Sequence, residues 1–278
     1  MSRTPRAAAG RAPRAGALLR WATVLAALAL AAAQAAAAAP ACAPDRIDAR
    51  VRVGYVFDGD TFEIEGGRRV RLIGVNTPEL GRDGRPPEPL ALAARERLIA
   101  LIARAGRTVG LRYGREREDR YGRLLAHAFL PDGTDVAAVL IREGLGFAIA
   151  VPPNLWGLEC RLAAERAARA RGLGVWRHRD FFGPLASARL RPGGGVRGFR
   201  IVEGRVVRIG RSRRSIWLNL EGRTALRVAR EDLPLFRRAG IDPERLAGRR
   251  VRARGWIFPR HGELQMRVRH PSALAVLP

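Results

Sequence analysis

Acidic, amide and basic side chains are concentrated at the ends of short predicted strands between residues 51 and 79. The segment contains Asp60 within an Asp-Gly-Asp-Thr turn, then Arg71, and then Asn76-Thr77-Pro78-Glu79. Carboxylate, amide and carbonyl oxygens, without histidine or cysteine, are typical ligands of a hard cation such as calcium. An arginine side chain binds two phosphate oxygens at once through its guanidinium group. These residue types therefore predict a site that holds a cation and a phosphate together.

Phosphodiester hydrolysis is the reaction that such a site could carry out. It requires neutralisation of the phosphate charge, an activated water and a donor to the leaving oxygen. The predicted metal ligands are Asp60, Asn76 and the backbone carbonyl of Thr77. The predicted catalytic residues are Glu79, which would hold or deprotonate a water, and Arg71 and Arg123, which would contact phosphate oxygens. Each residue alone has an ordinary explanation as a turn or surface residue, so the prediction depends on the ordered set.

Short strands and turns must position these residues. The predicted strands are 50–57, 61–64, 69–75, 108–113 and 124–130, and the predicted helices are 90–105, 136–143 and 157–171. One helix after the third strand and two after the fifth are typical of a small β-barrel capped by helices. The last helix is expected to turn Leu158, Leu162 and Ala163 inward and its arginines outward. The charged segment 115–120 is predicted to be a loop.

A second group of strands follows a segment rich in proline and glycine. We predict a linker at 178–198 and a second, smaller OB-like β-barrel at 199–278, with a helical segment between its third and fourth strands. Arginines are abundant in this barrel, and Trp217 and Trp256 lie near them in the sequence. Two interpretations stay open. The tryptophans either stack on the bases of a single-stranded nucleic acid or belong to the barrel core.

The N-terminal segment is typical of a secretory signal. Arginines precede an apolar, alanine-rich run, and Ala39-Pro40-Ala41 forms an A-x-A cleavage site. Residues 1–41 are therefore predicted to be removed, leaving a periplasmic or secreted protein whose first domain is 42–177. The alternatives are a membrane anchor in this segment and lipidation of Cys42. An oxidising compartment favours a disulfide between Cys42 and Cys160, and the other possibility is two unrelated thiols.

The charge of the chain indicates a polyanionic partner. The formal net charge is +25, and all 51 basic residues are arginine because the sequence contains no lysine. A GC-rich genome explains the choice of arginine over lysine, but it does not explain the excess of base over acid. Such a field attracts nucleic acid or an anionic membrane surface.

The order of these motifs resembles the staphylococcal nuclease-like (thermonuclease) family. The matching motifs are DGDT, RLIGVNTPE, DRYGR and GVW, and they cover about residues 50 to 178. The resemblance implies an α+β, mainly β fold, an OB barrel of five strands with three helices. It also implies hydrolysis of DNA and RNA that leaves 3′-phosphates, with unpaired substrate preferred. The residue roles that it implies are calcium binding at Asp60, Asn76 and Thr77, phosphate binding at Arg71 and Arg123, and water activation at Glu79.

The sequence departs from the family pattern in two places. Asn76 stands where active members usually carry aspartate, so calcium is expected to bind more weakly. The segment Ala148–Val151 lacks the tyrosines that the family prototype places beside the nucleotide. Arg120 and Tyr121 remain as predicted substrate-binding residues. The C-terminal half resembles OB-like extensions of some exported bacterial relatives, and no catalytic role is assigned to it.

The sequence thus predicts an exported, calcium-dependent nuclease that acts on DNA or RNA as a monomer, with no obligate protein partner. The alternative is a non-catalytic or weakly active nucleic-acid-binding protein on the same fold. The alternative draws on Asn76 and on the missing tyrosines. The intact Asp60, Arg71, Glu79 and Arg123 oppose it.

Overall fold

Two closed β-barrels and the helices around them make up the described part of the protein. The computed structural model describes residues 42–81 and 84–278, and the predicted signal segment 1–41 lies outside this range. Within the range, none of the helices combines the length and the apolar character that a membrane crossing requires. The predicted fold class, mainly β with two OB-like barrels, is confirmed.

The first barrel closes in the strand order β1-β2-β3-β6-β5. Alternate residues of these strands point inward, so Val53, Phe62, Val70 and Leu111 are buried in one core. The strands are β1 (Ala49–Val56), β2 (Thr61–Ile64), β3 (Arg69–Leu72), β5 (Thr108–Glu118) and β6 (Leu124–Phe129), while β4 (Val75–Asn76) and β7 (Phe147–Ala148) pair with each other outside the barrel. The segment 115–118 was predicted to be a loop and instead continues β5. Glu118 pairs with Leu124 beyond a bulge, so the charged residues form the solvated arm of a hairpin.

Three helices pack on this barrel, as predicted. They are α1 (Ala91–Arg104), α2 (Val136–Arg142) and α3 (Leu158–Ala170). Helix α3 differs from the prediction in its buried face, which includes the charged Arg161 and Glu165 alongside Leu158 and Ala164. Burial of charged side chains is tolerated only when partners satisfy them, and both have such partners, described below.

The second barrel closes in the order β9-β10-β11-β13-β12, and β12 pairs back onto β9. Helix α5 (Leu233–Arg238) lies between β11 and β12, which are the third and fourth strands of this barrel in sequence, as the OB order predicts. The segment expected to be a linker contains α4 (Arg179–Phe182) and β8 (Leu185–Ala186), which pairs with β9. The other strands are β9 (Gly198–Arg211), β10 (Ser215–Leu220), β11 (Thr224–Ala229), β12 (Arg250–Arg260), β13 (Glu263–Arg267) and β14 (Leu274–Val276).

Both tryptophans of the second barrel lie outside its core. In β10 the buried residues are Ile216, Leu218 and Leu220, so Trp217 points to the outer face. In β12 Val251, Ala253 and Ile257 are buried, and Trp256 lies on the outer face with Arg252 and Arg254. The interpretation of the two tryptophans as barrel core is therefore wrong.

A disulfide links Cys42, before β1, to Cys160 in α3. The two Cα atoms are 5.7 Å apart and 118 residues separate the cysteines in sequence. A link that closes a loop of this length stabilises the fold by on the order of 4 kcal/mol in the chain-entropy account. The described residues include no free cysteine.

The buried Arg161 connects α3 to α2 and to the barrel. Its side chain has 0% exposure, and Nη2 lies 2.5 Å from Oδ2 of Asp135, the residue that caps α2. The same Nη2 donates to Nδ1 of His127 at 2.8 Å, and Nη1 donates to the Trp156 carbonyl at 2.9 Å. Removing one member of such a buried pair costs about 3–5 kcal/mol, because the other charge stays buried without a partner.

His127 makes the stability of the fold depend on pH. A guanidinium group only donates hydrogen bonds, so Nδ1 of His127 must accept and the ring must be neutral. Burial and the neighbouring Arg161 and Arg112 charges lower the pKa of His127 to about 2. The unfolded chain binds a proton at an ordinary pKa of about 6.5, so stability falls as the pH drops from there toward the folded pKa.

We expect His127→Asn to reduce this pH dependence, because its Oδ1 can accept the same hydrogen bond without titrating. Between pH 7 and pH 5 the wild-type protein should lose about 2 kcal/mol more unfolding free energy than the variant. Urea unfolding at the two pH values measures both losses. Equal losses in the two proteins would show that His127 is protonated in the folded state.

Candidate functional site

The Asp60 carboxylate is the centre of the candidate site. Its Oδ2 accepts hydrogen bonds from the backbone N of Thr77 at 2.9 Å and from Thr77 Oγ1 at 3.1 Å, and it forms an ion pair with Arg71 Nη2 at 3.0 Å. Oδ1 accepts from Thr61 Oγ1 at 3.1 Å. Asp60 is buried, so these contacts replace the water that a carboxylate otherwise requires. The turn before β2, strand β3 and the segment after β4 therefore meet at one side chain.

Gly59 allows this turn to approach its neighbours closely. A Cβ at this position would lie 2.7 Å from the Ala94 Cβ and 2.8 Å from the Thr77 Cβ, which no side chain can occupy. The glycine of the Asp-Gly-Asp turn is thus required because the turn packs directly against helix α1 and Thr77. This packing brings Asp60 within hydrogen-bonding distance of Thr77.

Arg71 is already bonded to several acceptors of the protein. Nη1 donates to the carbonyls of Leu72 at 2.7 Å and Val75 at 2.9 Å. Nη2 donates to Asn76 Oδ1 at 3.3 Å and pairs with Asp60. The guanidinium therefore holds the end of β3 and strand β4 in place around the carboxylate. In this arrangement its Nε is the donor that is left for a phosphate oxygen, unless the contact with Asn76 opens.

Asn76 and Thr77 lie beside Asp60 but are bonded to each other. Asn76 Nδ2 donates to the Thr77 carbonyl at 3.3 Å, while Asn76 Oδ1 accepts from Arg71. Both oxygens that were predicted to bind a metal thus have hydrogen-bond partners. An aspartate at position 76 could not donate to the carbonyl, so this bond is a direct consequence of the amide.

Glu79 follows Thr77 on the open side of the site. Its backbone N donates to Glu88 Oε2 at 3.0 Å, and the backbone N of Glu88 donates to the Glu79 carbonyl at 2.9 Å. Glu88 Oε1 in turn accepts from Nη1 of Arg200, in β9 of the second barrel, at 3.0 Å. The second barrel therefore helps to fix the loop that carries Glu79. The side chain of Glu79 is exposed and borders a cavity of about 310 Å³ together with Asp58.

Excess negative charge is concentrated at this cavity. Burial and the neighbouring Asp60 raise the pKa of Asp58 to about 6. The pKa of Glu79 is also raised, first because the surrounding protein removes water from the carboxylate and then because Asp60 and Asp58 repel its charge. Asp58 Oδ1 accepts from the backbone N of Asp60 at 3.0 Å, which fixes it in the turn. A cation bound here would relieve the repulsion among the three carboxylates.

Arg123 lies at the start of β6, which runs parallel to β3. Arg71 pairs with Leu125 in that ladder, so Arg123, the residue directly before β6, lies close to the strand that carries Arg71. Asp119 Oδ2 accepts from Arg123 Nε at 2.8 Å and pairs with Nη2 at 2.7 Å. This carboxylate orients the guanidinium and leaves its Nη1 available to a ligand.

Tyr121 covers the outer side of Arg123. Its ring centroid lies 5.5 Å from the Arg123 guanidinium carbon and 4.7 Å from that of Arg120. The ring is 66% exposed, so it is open to a stacking partner. The two predicted substrate-binding residues are therefore adjacent to Arg123 on the same surface.

The residues present fit a calcium ion by the chemistry of their donors. Among the described residues, no three histidine, cysteine, aspartate or glutamate side chains come close enough to hold an ion by themselves. A cation would therefore also need the Asn76 and Thr77 oxygens. Such an all-oxygen set with carboxylates is the type that calcium prefers. Rotation of the Asn76 amide would free the Thr77 carbonyl for this purpose.

Three further residues around the site were not predicted from the sequence. Asp58 was seen only as part of a turn, although its spacing of two from Asp60 could have indicated a carboxylate pair. Asp119 lies four residues before Arg123, a spacing that could have indicated its ion pair. Glu88 lies in a proline-rich loop, and no local pattern reveals its contacts with Glu79 and Arg200.

The first barrel and its site define a protein of the OB-fold class with carboxylates and arginines collected at one end of its strands. The family model described as staphylococcal nuclease homologue matches residues 69–178, which include Arg71 to Glu79 and Arg123. The chain is 36% identical over 124 residues to the thermonuclease of Staphylococcus intermedius, covering 44% of this chain and 72% of that protein. The chain therefore belongs to the staphylococcal nuclease homologue family.

Two further relatives are matched over a smaller part of their length. An uncharacterised endonuclease of Escherichia coli is 36% identical over 101 residues, which are 35% of this chain and 59% of that protein. Endonuclease YncB of Bacillus subtilis is 31% identical over 130 residues, which are 45% of this chain and 61% of the relative. The chain thus spans about six tenths of these two proteins.

We expect Asn76→Asp to increase the affinity for calcium. The substitution removes the Nδ2 bond to the Thr77 carbonyl and adds a charge next to Asp60, so the dissociation constant should fall on the order of tenfold. Isothermal titration calorimetry of calcium alone measures this change. Asn219→Asp, which adds the same charge on the outer face of the second barrel, should leave the affinity unaltered. An unchanged or weaker affinity in Asn76→Asp would show that position 76 does not face the ion.

Proposed function

We propose that this protein is a calcium-dependent nuclease that hydrolyses phosphodiester bonds of DNA and RNA and prefers single strands. The observation that carries the proposal is the Asp60 carboxylate held by Arg71 and Thr77, with Glu79 beside it. The relatives named thermonuclease and endonuclease support the nuclease reaction. The high positive charge supports a nucleic-acid substrate.

The residues of the candidate site have complementary roles in this reaction. Arg123 and Arg71 donate to the non-bridging oxygens of the phosphate and stabilise the additional charge of the transition state. Glu79 accepts the proton of the attacking water, for which its raised pKa is favourable. The bond from phosphorus to the 5′ oxygen breaks, leaving a 3′-phosphate and a 5′-hydroxyl. Calcium held by Asp60, Asn76 and Thr77 would supply further neutralisation of phosphate charge.

A second candidate function is nucleic-acid binding without efficient catalysis. The specific observation in its favour is the hydrogen bond from Asn76 to the Thr77 carbonyl, which occupies one predicted calcium ligand. The bonds of Arg71 to four protein acceptors point in the same direction. In that case DNA binding depends steeply on salt and does not depend on calcium.

Export to the periplasm or the medium is part of the proposal. The predicted cleavage site Ala39-Pro40-Ala41 precedes Cys42 directly. A Cys42–Cys160 disulfide suits an oxidising compartment. We propose that the protein acts as a monomer.

We expect Glu79→Gln and Arg123→Ala to remove most calcium-dependent cleavage of single-stranded DNA. Loss of the base should lower kcat by roughly 100- to 10,000-fold, and loss of the arginine should lower it by roughly 100- to 1000-fold. Steady-state assays on a labelled oligonucleotide measure both values. The matched control Glu96→Gln, on the exposed face of helix α1, should keep the wild-type rate.

Two results would contradict these roles. If wild type and both variants cleave at the same rate, the active residues lie elsewhere. If none of them cleaves in calcium while all bind the oligonucleotide, the second candidate function is correct.

A further inference from the structure

A cleft of about 660 Å³ lies between the two barrels and is not part of the site described above. One wall is the apolar segment Ala148–Val151 of the first barrel. The other wall is formed by β12 and β13 of the second barrel, with Trp256 and Phe258 on it. Six arginines line the cleft, namely Arg120, Arg197, Arg254, Arg260, Arg267 and Arg269.

The cleft has an unbalanced positive charge. Arg254 forms an ion pair with Glu165, and Arg269 forms one with Asp232. Within the part of the chain that the structure describes, the other four arginines of the cleft have no carboxylate in ion-pair distance. The pKa of Arg267 is lowered by desolvation and then by the repulsion of Arg227, Arg120, Arg260 and Arg269. Because Arg120 belongs to the first barrel, positive charge from both domains converges here.

Trp256 gives the cleft an open aromatic surface. Its side chain is 41% exposed on the outer face of β12. Its ring lies at 80° to that of Phe199, with 5.3 Å between the centroids. A partly exposed indole held by a neighbouring ring is suited to stacking on a planar group. The facing wall Ala148–Val151 carries no aromatic side chain, so Trp256 of the second barrel supplies an aromatic residue opposite it.

Two contacts between the barrels fix the walls of the cleft. Glu165 Oε1 accepts from the backbone N of Ala148 at 2.8 Å, and its Oε2 accepts from Arg254 Nη1 at 2.6 Å. The ring of Phe147 lies 5.1 Å from that of Phe199, in a buried cluster shared by the barrels. Because these contacts already hold the walls in place, little conformational entropy is lost when a ligand binds.

The cleft is also connected to the candidate active site. Phe147 pairs with Asn76 and Ala148 pairs with Val75 in the β4–β7 ladder. The backbone N of Ile149 donates to the Gly74 carbonyl at 3.1 Å. The apolar wall of the cleft is therefore one strand away from the predicted metal ligands. On its other side, Arg120 is adjacent to Tyr121 and close to Arg123.

We infer that the cleft between the barrels binds a single-stranded segment of the nucleic-acid substrate and delivers it to the Asp60 site. This inference rests on the proposed function, because the strand bound in the cleft is the strand that the Asp60 site cleaves. Arginines bind its phosphates, and an unpaired base stacks on Trp256. A base in a duplex has no free face to offer, so the cleft favours unpaired strands.

Binding without catalysis tests the cleft separately from the reaction. Fluorescence anisotropy of a labelled oligothymidine is measured in EGTA, where calcium-dependent cleavage cannot occur. Trp256→Ala should weaken binding roughly 5- to 150-fold, the range expected for loss of one stacked base. Trp256→Phe retains a stacking ring and should recover most of the affinity. Thermal unfolding of each variant verifies that the barrel remains folded.

Charge variants give a second, independent readout. Arg267→Gln should reduce the slope of log affinity against log salt by about 0.7, the value for one phosphate contact on a single strand. Arg238→Gln removes the same charge from helix α5, outside the cleft, and should leave the slope unchanged. Equal effects of the two arginines, or no effect of Trp256→Ala, would overturn the inference. Binding of anionic lipid vesicles that Trp256→Ala abolishes, without binding of oligothymidine, would overturn it in favour of a membrane surface.

Cleavage of substrates of two lengths separates failure of the cleft from failure of the proposed function. Trp256→Ala should lower kcat/KM far more for a long single strand than for a dinucleotide, which is too short to reach both sites. Equal losses on both substrates would contradict a role of the cleft in delivering the strand. If the wild-type protein cleaves neither substrate, the proposed function fails, and the anisotropy result still decides whether the cleft binds single strands.

Discussion

The other residues of the site are positioned by the contacts of the buried Asp60 carboxylate with Arg71 and Thr77. The carboxylate accepts from Thr77 and Arg71, residues of different elements, so it sets the distance between the turn after β1 and the end of β3. Gly59 permits the close packing that this requires. Asp58 and Glu79 lie nearby, and burial, followed by repulsion from the neighbouring carboxylates, raises the pKa of both residues. A bound cation would offset the repulsion among these carboxylates, which is why we propose that one binds here.

The second constraint is the set of polar and aromatic contacts between the barrels. Glu165 reaches the backbone of the first barrel with one oxygen and Arg254 of the second with the other. Arg200 adds a contact with Glu88, which fixes the loop that carries Glu79. The second barrel is thereby part of the frame of the site as well as one wall of the cleft. This arrangement gives the C-terminal half a physical role that no motif in it indicates.

Local patterns in the sequence predict most of the fold and the central residues of the site. Alternating strands, glycine turns and helical spacing predict both barrels, because each pattern is a direct consequence of how one element buries its apolar face. They do not predict the buried face of α3. Arg161 was expected to be solvated and no position was predicted for Glu165; their burial depends on Asp135, His127 and Arg254, which are distant in sequence. The position of Trp256 in a cleft is equally hidden from local patterns. Alternation along β12 places its side chain on one face of the strand, but contacts with the first barrel determine which residues lie opposite it. Contacts between elements distant in sequence leave no periodic signal.

Calcium-dependent hydrolysis of nucleic acid at the Asp60 site is the activity that we propose for this protein. The most direct measurement is a time course of single-stranded DNA cleavage by the disulfide-bonded protein, in parallel with millimolar calcium and with excess EGTA. We expect progressive shortening of the strand to products with 3′-phosphate ends in calcium, and an intact strand in EGTA. An intact strand in both conditions, or equal cleavage in both, would contradict the proposal.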